Sequence, residues 1–328
     1  GTALVTLPAA SAWAQSSVYW TGTSSSDWSY LGNWDGGLPD PTSSIVIDAP
    51  GKPAHLTTGS FSGLNFLVGK SQGGELVIKD GGALEVVNAN YVASQPASQG
   101  KIEVTGSGST LGMSGSLMLG YAGTGELIVK NGGWVTTSSN LYVGALGGSV
   151  GSVEVSGTGS VLQVWSEFGV GYGGQGSVIL SDHAAATGNK VSLGEEAGGV
   201  GSITVENSVL YASEELTVGR KGTGTLILRN KGVAYVENGS GTLTLAQDAG
   251  STGTLVIGAP DGDAAVAPGE LLVSDVAFGN GTGTIVFNHT GSPYSFLPVI
   301  KGSGTISQLS GTTILKGDSS AFTGTTNI

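Results

Sequence analysis

The chain contains no cysteine, few charged residues and no long apolar run. The absence of Cys from 328 residues excludes a disulfide framework and any thiolate metal site. Only 11% of the residues are charged, and 24 acidic residues outnumber 12 basic ones. The resulting net charge of −12 argues against a nucleic-acid partner. No segment approaches the ~20 consecutive apolar residues that a membrane-spanning helix needs.

Glycine, in contrast, is abundant and evenly distributed, with 59 copies along the chain. Each Gly inside a helix costs about 1 kcal/mol relative to Ala, so this distribution disfavours any long helix. Disorder is also disfavoured, because Val, Leu and Ile recur at regular positions and can bury a core. The composition therefore indicates an all-β protein.

A sequence motif that begins with Gly and contains two aliphatic residues separated by one free position recurs ten times. The steps between the leading glycines range from 21 to 30 residues and cluster near 25. Such a period, combined with strand-like alternation, predicts a solenoid. The ten copies of the motif are GELVI at 74–78, GKIEV at 100–104, GELIV at 125–129, GSVEV at 151–155, GSVIL at 176–180, GSITV at 201–205, GTLIL at 224–228, GTLVI at 253–257, GTIVF at 283–287 and GTISQ at 304–308.

Each period holds two further strand signals. The stronger one is apolar–x–apolar–Gly, as in Leu141-Tyr142-Val143-Gly144, and the weaker one is an aliphatic pair such as Leu84 and Val86. Alternation places these aliphatic side chains inside, and glycine suits the corners because it tolerates positive φ. Three short strands per period predict a right-handed, single-stranded parallel β-helix of about ten coils.

The chain divides into four segments by composition. Residues 1–14 are interpreted as a signal-peptide remnant that ends at Ala12-Trp13-Ala14, with a first β-strand as the alternative. Residues 15–60 are rich in Trp and Asp and are interpreted as an N-terminal cap, with a sugar-binding aromatic platform as the alternative. Residues 61–258 form the regular β-helix body, and residues 259–328 hold an inserted loop followed by C-terminal repeat coils.

Three stretches resemble a known family. The segment GTIVFNHTGSPYSFLPVIKGSGTISQLSGTTILKGDSSAFTGTTNI at 283–328 resembles the repeat that closes the passenger domain of bacterial autotransporters of the type V secretion pathway. APGELLVSDVAFGNGTG at 267–283 is similar to the segment before that repeat, and WTGTSSSDWSYLGNW at 20–34 to the start of large passengers. The resemblance implies a passenger at the cell surface or outer membrane of a Gram-negative bacterium, or released from it. It also implies a C-terminal β-barrel translocator in the full-length product.

The polar residues show no pattern typical of an active site. Asp182-His183 falls in the turn position that Asn131-Gly132 fills in another coil, so we interpret it as a turn. β-Helical lyases and pectin hydrolases need a cluster of outward carboxylates and bases, whereas the outward Glu103 and Glu154 lie two coils apart. We therefore expect no enzyme, and we assign no catalytic, cofactor-binding or metal-binding residue.

The inserted loop carries the acidic group Asp261, Asp263 and Glu270. We interpret it as a solvated turn, with a cation site as the alternative.

The outward positions of the first strand are unexpectedly apolar for a free-standing rod. Exposed aliphatics on a sheet are typical of a contact surface, and tyrosines suit packing against a partner or a sugar ring. The partners expected for this face are like rods on neighbouring molecules or cells, or a host or surface glycan or protein. The predicted interaction face consists of Val77, Ile128, Ile179, Ile227 and Val256 on the first strand, with Val286 beside them, and of Tyr91, Met118 and Tyr142 on the third strand.

The sequence thus predicts a rigid β-helical rod that acts in adhesion or self-association. An exported glycan-acting β-helix enzyme and a pure stalk for another domain are the alternatives.

We expect export to remove the first residues of the chain. Cleavage after Ala14 would leave a mature protein that begins at or within a few residues of Gln15. N-terminal sequencing of the protein recovered from the cell surface measures this directly. Retention of residues 2–12 in that material would contradict the signal-peptide interpretation.

Overall fold

A computed structural model describes residues 17–328, whose regular secondary structure is almost entirely β-strand. Helical geometry among them is limited to two single 3-10 turns, Leu31–Asn33 and Glu237–Gly239. The predicted signal-peptide remnant and its cleavage site lie outside the described residues.

The first sheet runs the length of the molecule and contains twelve parallel strands. Every strand pairs with the equivalent strand of the next coil, so their order in space is their order along the chain. The strands are Ala54–Leu56, Gly73–Lys79, Gln99–Thr105, Thr124–Lys130, Val150–Ser156, Gln175–Ser181, Val200–Glu206, Thr223–Arg229, Thr252–Gly258, Thr282–Asn288, Thr305–Ser310 and Thr325–Asn327.

The second and third sheets share two long strands, Ala185–Leu193 and Val209–Val218, which continue from one sheet into the other. The other strands of the second sheet are Ser60–Gly63, Ala83–Val86, Thr110–Met113, Trp134–Thr137, Val161–Val164, Val233–Val236 and Glu270–Leu272. Those of the third sheet are Ser17–Trp20, Ser44–Ile47, Asn65–Val68, Asn90–Val92, Leu117–Leu119, Leu141–Val143, Glu167–Val170, Thr242–Leu245, Asp275–Phe278 and Val299–Lys301. Tyr294–Phe296 and Thr313–Leu315 form a separate parallel pair.

These three sheets confirm the predicted parallel β-helix, with about twelve coils rather than ten. All ten copies of the Gly-led motif coincide with strands of the first sheet. The strands that the repeat pattern missed are Ala54–Leu56 and Thr325–Asn327, each three residues long. Ala54 follows Pro53 rather than Gly, and the second strand contains no aliphatic residue, so neither matches the repeat. Twelve coils at about 4.8 Å each give a rod of about 55 Å.

The core is built from ladders of aliphatic side chains, one per coil. Val129, Val155, Leu180, Val205 and Leu228 are partners in successive strands and are all fully buried. This confirms the predicted alternation with aliphatic side chains inside, because the residues on either side of each member are intermediate or exposed. Each buried aliphatic contributes about 1.5–3 kcal/mol, so every coil adds its own stabilisation.

The turns after the first strand use left-handed backbone. Asp182 and His183 have φ values of 57° and 67°, and Asn131 and Gly132 have values of 55° and 86°. Asn and Asp tolerate this region better than most residues because their short side chains can bond locally. Asp182-His183 is therefore a turn, as the sequence predicted.

Three tryptophans pack together at the N-terminal end of the helix. The Trp34 ring contacts those of Trp20 and Trp28 edge-on, at centroid distances of 5.1 and 4.7 Å. Trp28 also meets Phe61 of the next coil, and all three Trp side chains are buried. The two-residue strand Trp34–Asp35 pairs antiparallel with Ser17–Trp20. This pairing covers a sheet edge that would otherwise be open to other strands.

We expect Val155→Asp to destabilise the rod by at least about 3 kcal/mol, because it places an unpaired charge in the core. Chemical denaturation followed by circular dichroism measures the loss. Ser156→Asp is the matched control, since Ser156 is outward-facing and pairs in register with Lys130. We expect that variant to change stability by no more than about 0.5 kcal/mol. Equal denaturation midpoints for the two variants would contradict the assigned register.

Candidate functional site

The predicted first-strand face follows one outward lane of the first sheet, meaning one strand position repeated in successive coils. It is not exposed along its whole length. The side chain of Ile179 is 50% exposed, those of Ile128 and Ile227 are half-buried, and Val77 and Val256 are only 8% and 3% exposed. The prediction that these outward aliphatic side chains are exposed is therefore wrong at both ends of the face. We refer to the middle three residues, Ile128, Ile179 and Ile227, as the isoleucine lane.

The burial of Val77 and Val256 follows from what stands beside them. Val77 lies between His55 and Glu103 in the ladder, and Val256 lies between Ile227 and Val286. Because neighbouring coils are only ~4.8 Å apart, these flanking side chains cover much of each valine. Val286, which the sequence placed on the same face, is buried too.

The isoleucine lane itself alternates with polar residues. Glu154 separates Ile128 from Ile179, and Thr204 separates Ile179 from Ile227. Its aliphatic side chains therefore recur every second coil, about 10 Å apart.

The third sheet brings the predicted tyrosines into a denser arrangement. Tyr91, Met118 and Tyr142 are partners in consecutive strands, as predicted, but Met118 is only 8% exposed, so the prediction that it lies on an open face is wrong. Two further tyrosines flank this lane, each directly after a corner glycine. The ring of Tyr121 contacts that of Tyr91 edge-on at 5.1 Å, and the ring of Tyr172 lies 4.4 Å from that of Tyr142.

A glycine makes the second contact possible. Gly169 follows Tyr142 in the lane, and a Cβ at this position would lie 3.0 Å from the Tyr142 ring and 3.3 Å from the Tyr172 ring. A side chain at Gly169 would therefore push the two rings apart.

Three of these tyrosines, Tyr121, Tyr142 and Tyr172, line a cavity of about 210 Å³, which we call the tyrosine cavity. Ala145 occupies the position after its corner glycine that Tyr121 and Tyr172 fill in the coils before and after it. Its small side chain leaves a gap between the two larger ones. The cavity is lined by Ser116, Met118, Tyr121, Asn140, Tyr142, Ala145, Leu146 and Tyr172.

A glutamate fixes one side of this arrangement. The Tyr142 hydroxyl donates to Glu167 Oε2 at 3.0 Å, and the Glu167 backbone N–H donates to Asn140 Oδ1 at 3.1 Å. Burial, followed by the nearby Glu167 carboxylate, raises the pKa of Tyr142 above its usual value. The phenol therefore stays protonated and continues to donate.

A buried ion pair lies one coil beyond Tyr172. The Glu195 side chain is only 3% exposed and pairs with Arg220, which is 42% exposed. Burial raises the pKa of Glu195, and Arg220 acts in the opposite direction. Glu195 Oε1 accepts from Arg220, whereas Oε2 is buried without a hydrogen-bond partner among the described residues, so Arg220 is the cation that compensates this carboxylate.

The remaining titratable residues are dispersed. Buried His289 bonds Thr313 Oγ1 at 2.8 Å, and His55 bonds Ser26 Oγ at 3.1 Å. The inserted loop is held by Asn288, whose amide donates to the carbonyls of Pro260 and Asp263 at 3.0 Å each. Within residues 17–328, no three His, Asp or Glu side chains are grouped as a metal ion would require.

The sequence predicted Tyr91 and Tyr142 but missed Tyr121, Tyr172 and Asn140. The signal for the two tyrosines is present, since each directly follows a corner glycine. Alternation says nothing about a corner residue, whose side-chain direction depends on how the turn folds.

Three curated proteins are similar to this chain. The uncharacterized protein YuaQ of Escherichia coli is 27% identical over 310 residues, which is 87% of this chain and 22% of YuaQ. The uncharacterized lipoprotein YdeK of Escherichia coli is 36% identical over 118 residues, 36% of this chain and 9% of YdeK. The adhesin BmaC autotransporter of Brucella suis is 26% identical over 243 residues, 69% of this chain and 7% of BmaC.

The chain thus spans less than a quarter of the length of each of these relatives. No family model matches it, and no solved structure matches it. The part of the chain that the structure describes contains no helix of the length and apolarity needed to cross a bilayer.

We expect Arg220→Ala to destabilise the protein by about 2 kcal/mol at pH 7, because it removes the cation beside the buried Glu195 carboxylate, although solvent reaches Arg220, which is 42% exposed. Lys221→Ala is the matched control: Lys221 pairs with Glu196 at 2.9 Å, but both side chains are more than a third exposed. That variant should lose no more than about 1 kcal/mol.

The pH dependence provides a second measurement. A carboxyl whose pKa is raised by folding destabilises the fold above its unfolded-state pKa, and this penalty disappears as the group becomes protonated. The deficit of Arg220→Ala relative to the unmodified protein should therefore shrink as the pH falls from 7 to 4. A deficit that is constant over this range would show that Glu195 is not its source.

Proposed function

We propose that this chain is a passenger segment of a cell-surface protein and that it acts in adhesion or self-association. The observation that supports this proposal most directly is the similarity of the chain, over 69% of its length, to a protein described as an adhesin autotransporter. The β-helical fold is consistent with that role. A rod with its core inside every coil can be long, rigid and stable without a globular domain at its end.

The isoleucine lane supports a role in lateral contact. Three aliphatic side chains on one outward lane give a rod an apolar contact surface, and the intervening Glu154 and Thr204 keep it partly hydrated. Two such rods placed side by side would bury these side chains against one another.

The test is the triple variant Ile128→Thr, Ile179→Thr and Ile227→Thr, made in the full-length protein on cells and in the purified chain. Threonine keeps the β-branched shape that strands favour while removing apolar surface. We expect less clumping of expressing cells and a shift of the purified rod toward monomer in sedimentation. Antibody labelling of intact cells checks that both proteins reach the surface equally.

The matched control changes the same number of aliphatics on another outward lane, that of the second sheet. Val161, Val209 and Val233 are half-buried there and can also be replaced by Thr. We expect this control to leave association unchanged. If the isoleucine variant clumps and sediments like the unmodified protein, the lane is not the contact surface. If the unmodified protein neither clumps nor binds surfaces, a stalk is the better description.

A further inference from the structure

The tyrosine cavity has the composition of a small-ligand site. Such sites are concave and mostly apolar, with a few polar groups that orient the ligand. Here three tyrosine rings, Met118 and Leu146 supply the apolar surface, and Ser116 and Asn140 supply polar groups on one side. Its volume of about 210 Å³ is below the ~300–1,000 Å³ of clefts for drug-sized ligands, so the occupant must be compact.

Several polar atoms of the lining residues have no hydrogen-bond partner among the described residues. Asn140 uses its Oδ1 to accept from the Glu167 backbone, which orients its amide N–H groups away from that bond. Within residues 17–328, neither these N–H groups nor the hydroxyls of Tyr121 and Tyr172 make a hydrogen bond. None of these atoms is fully buried, and the three side chains are half-buried. They are available as donors and, for the hydroxyls, also as acceptors.

The charge of the site restricts the ligand further. No lining residue carries a charge, and the nearest carboxylate in contact with the lining is Glu167, which is bonded to Tyr142. The chain as a whole has a net charge of −12. An anionic ligand would find no cation in the cavity wall and an unfavourable field around it.

We propose that the tyrosine cavity binds one neutral pyranose unit of a glycan. The C–H face of the sugar ring packs on the exposed tyrosine surface, where aromatic side chains combine large apolar area with a polar tip. The sugar hydroxyls then bond the amide of Asn140 and the hydroxyls of Tyr121 and Tyr172. A saccharide matches both parts of the site, because its ring has apolar faces and a hydroxylated rim.

A second copy of the chain fits the same cavity less well. Stable protein interfaces bury about 800 Å² on each partner, which requires a broad surface rather than a cavity bounded by a few side chains. The site also differs from the isoleucine lane, which lies on another sheet. This inference therefore goes beyond the proposed function, and it can be tested on purified protein whether or not the protein reaches a cell surface.

The experiment is saturation-transfer NMR and calorimetry on the purified chain with defined probes. The neutral probes are maltotriose, cellotriose, mannotriose, chitotriose and lactose, and the anionic probes are sialyllactose and trigalacturonate. We expect at least one neutral probe to bind and the anionic probes to bind more weakly. No binding by any neutral probe, or tighter binding of the anionic ones, would overturn the proposal.

Variants locate the binding. Tyr172→Ala and Tyr121→Ala should each weaken binding of the neutral probe by about tenfold, the equivalent of one lost aromatic contact. Tyr172→Phe keeps the ring and should lose less. Tyr30→Ala is the matched control, because Tyr30 is an exposed tyrosine in the N-terminal segment, 53% accessible and outside the cavity. Circular dichroism checks the fold of each variant.

Three further results would each reject the site. The first is unchanged affinity in both cavity variants, and the second is an equal loss in Tyr30→Ala. The third is a dimer of the unmodified chain in sedimentation that Tyr172→Ala abolishes while sugar binding is absent, since this would assign the cavity to a second copy.

Discussion

The structure depends on one constraint: strands of successive coils pair in a constant register, with shifts only at Gly188–Lys190 and Phe287–Asn288 among the described strand pairs. Leu127, Val153, Val178, Ile203 and Leu226 are consecutive partners in the first sheet. Once this register is set, every position becomes a lane that runs along the rod at one residue per coil. Inward lanes are mostly apolar because they meet no water, and their polar members, such as Asn90 and Thr137, are buried with hydrogen-bond partners. Outward lanes are free to vary.

Side-chain pairing between coils follows from the same register. Lys101 pairs with Glu75 at 3.5 Å and Lys130 with Glu103 at 3.1 Å, each across one coil of the first sheet. These pairs are partly exposed, and each contributes little to stability. Glu195 differs because it is buried, so its partner Arg220 matters far more to the fold. The burial of the carboxylate thus determines how much an ion pair contributes to stability.

Functional surfaces arise on such a rod through departures from uniformity within a lane. Ala145 between two coils with tyrosine, and Gly169 beside Tyr142, replace large side chains by small ones. The cavity forms at these replacements, and its lining residues come from consecutive coils, more than twenty residues apart along the chain. The isoleucine lane is the opposite case, a surface produced by repetition rather than by interruption.

The sequence by itself determined the fold, because a period near 25 residues with alternating aliphatics can bury its core only by stacking coils. It also identified the aliphatic ladder around Val155, the Asp182-His183 turn and the outward positions of Tyr91 and Tyr142. The tertiary structure alone decided which outward residues are accessible, since Val77 and Val256 are covered by neighbours that come from other coils. It also decided the tyrosine cavity, because the direction of a corner side chain such as Tyr172 depends on backbone geometry that alternation does not encode.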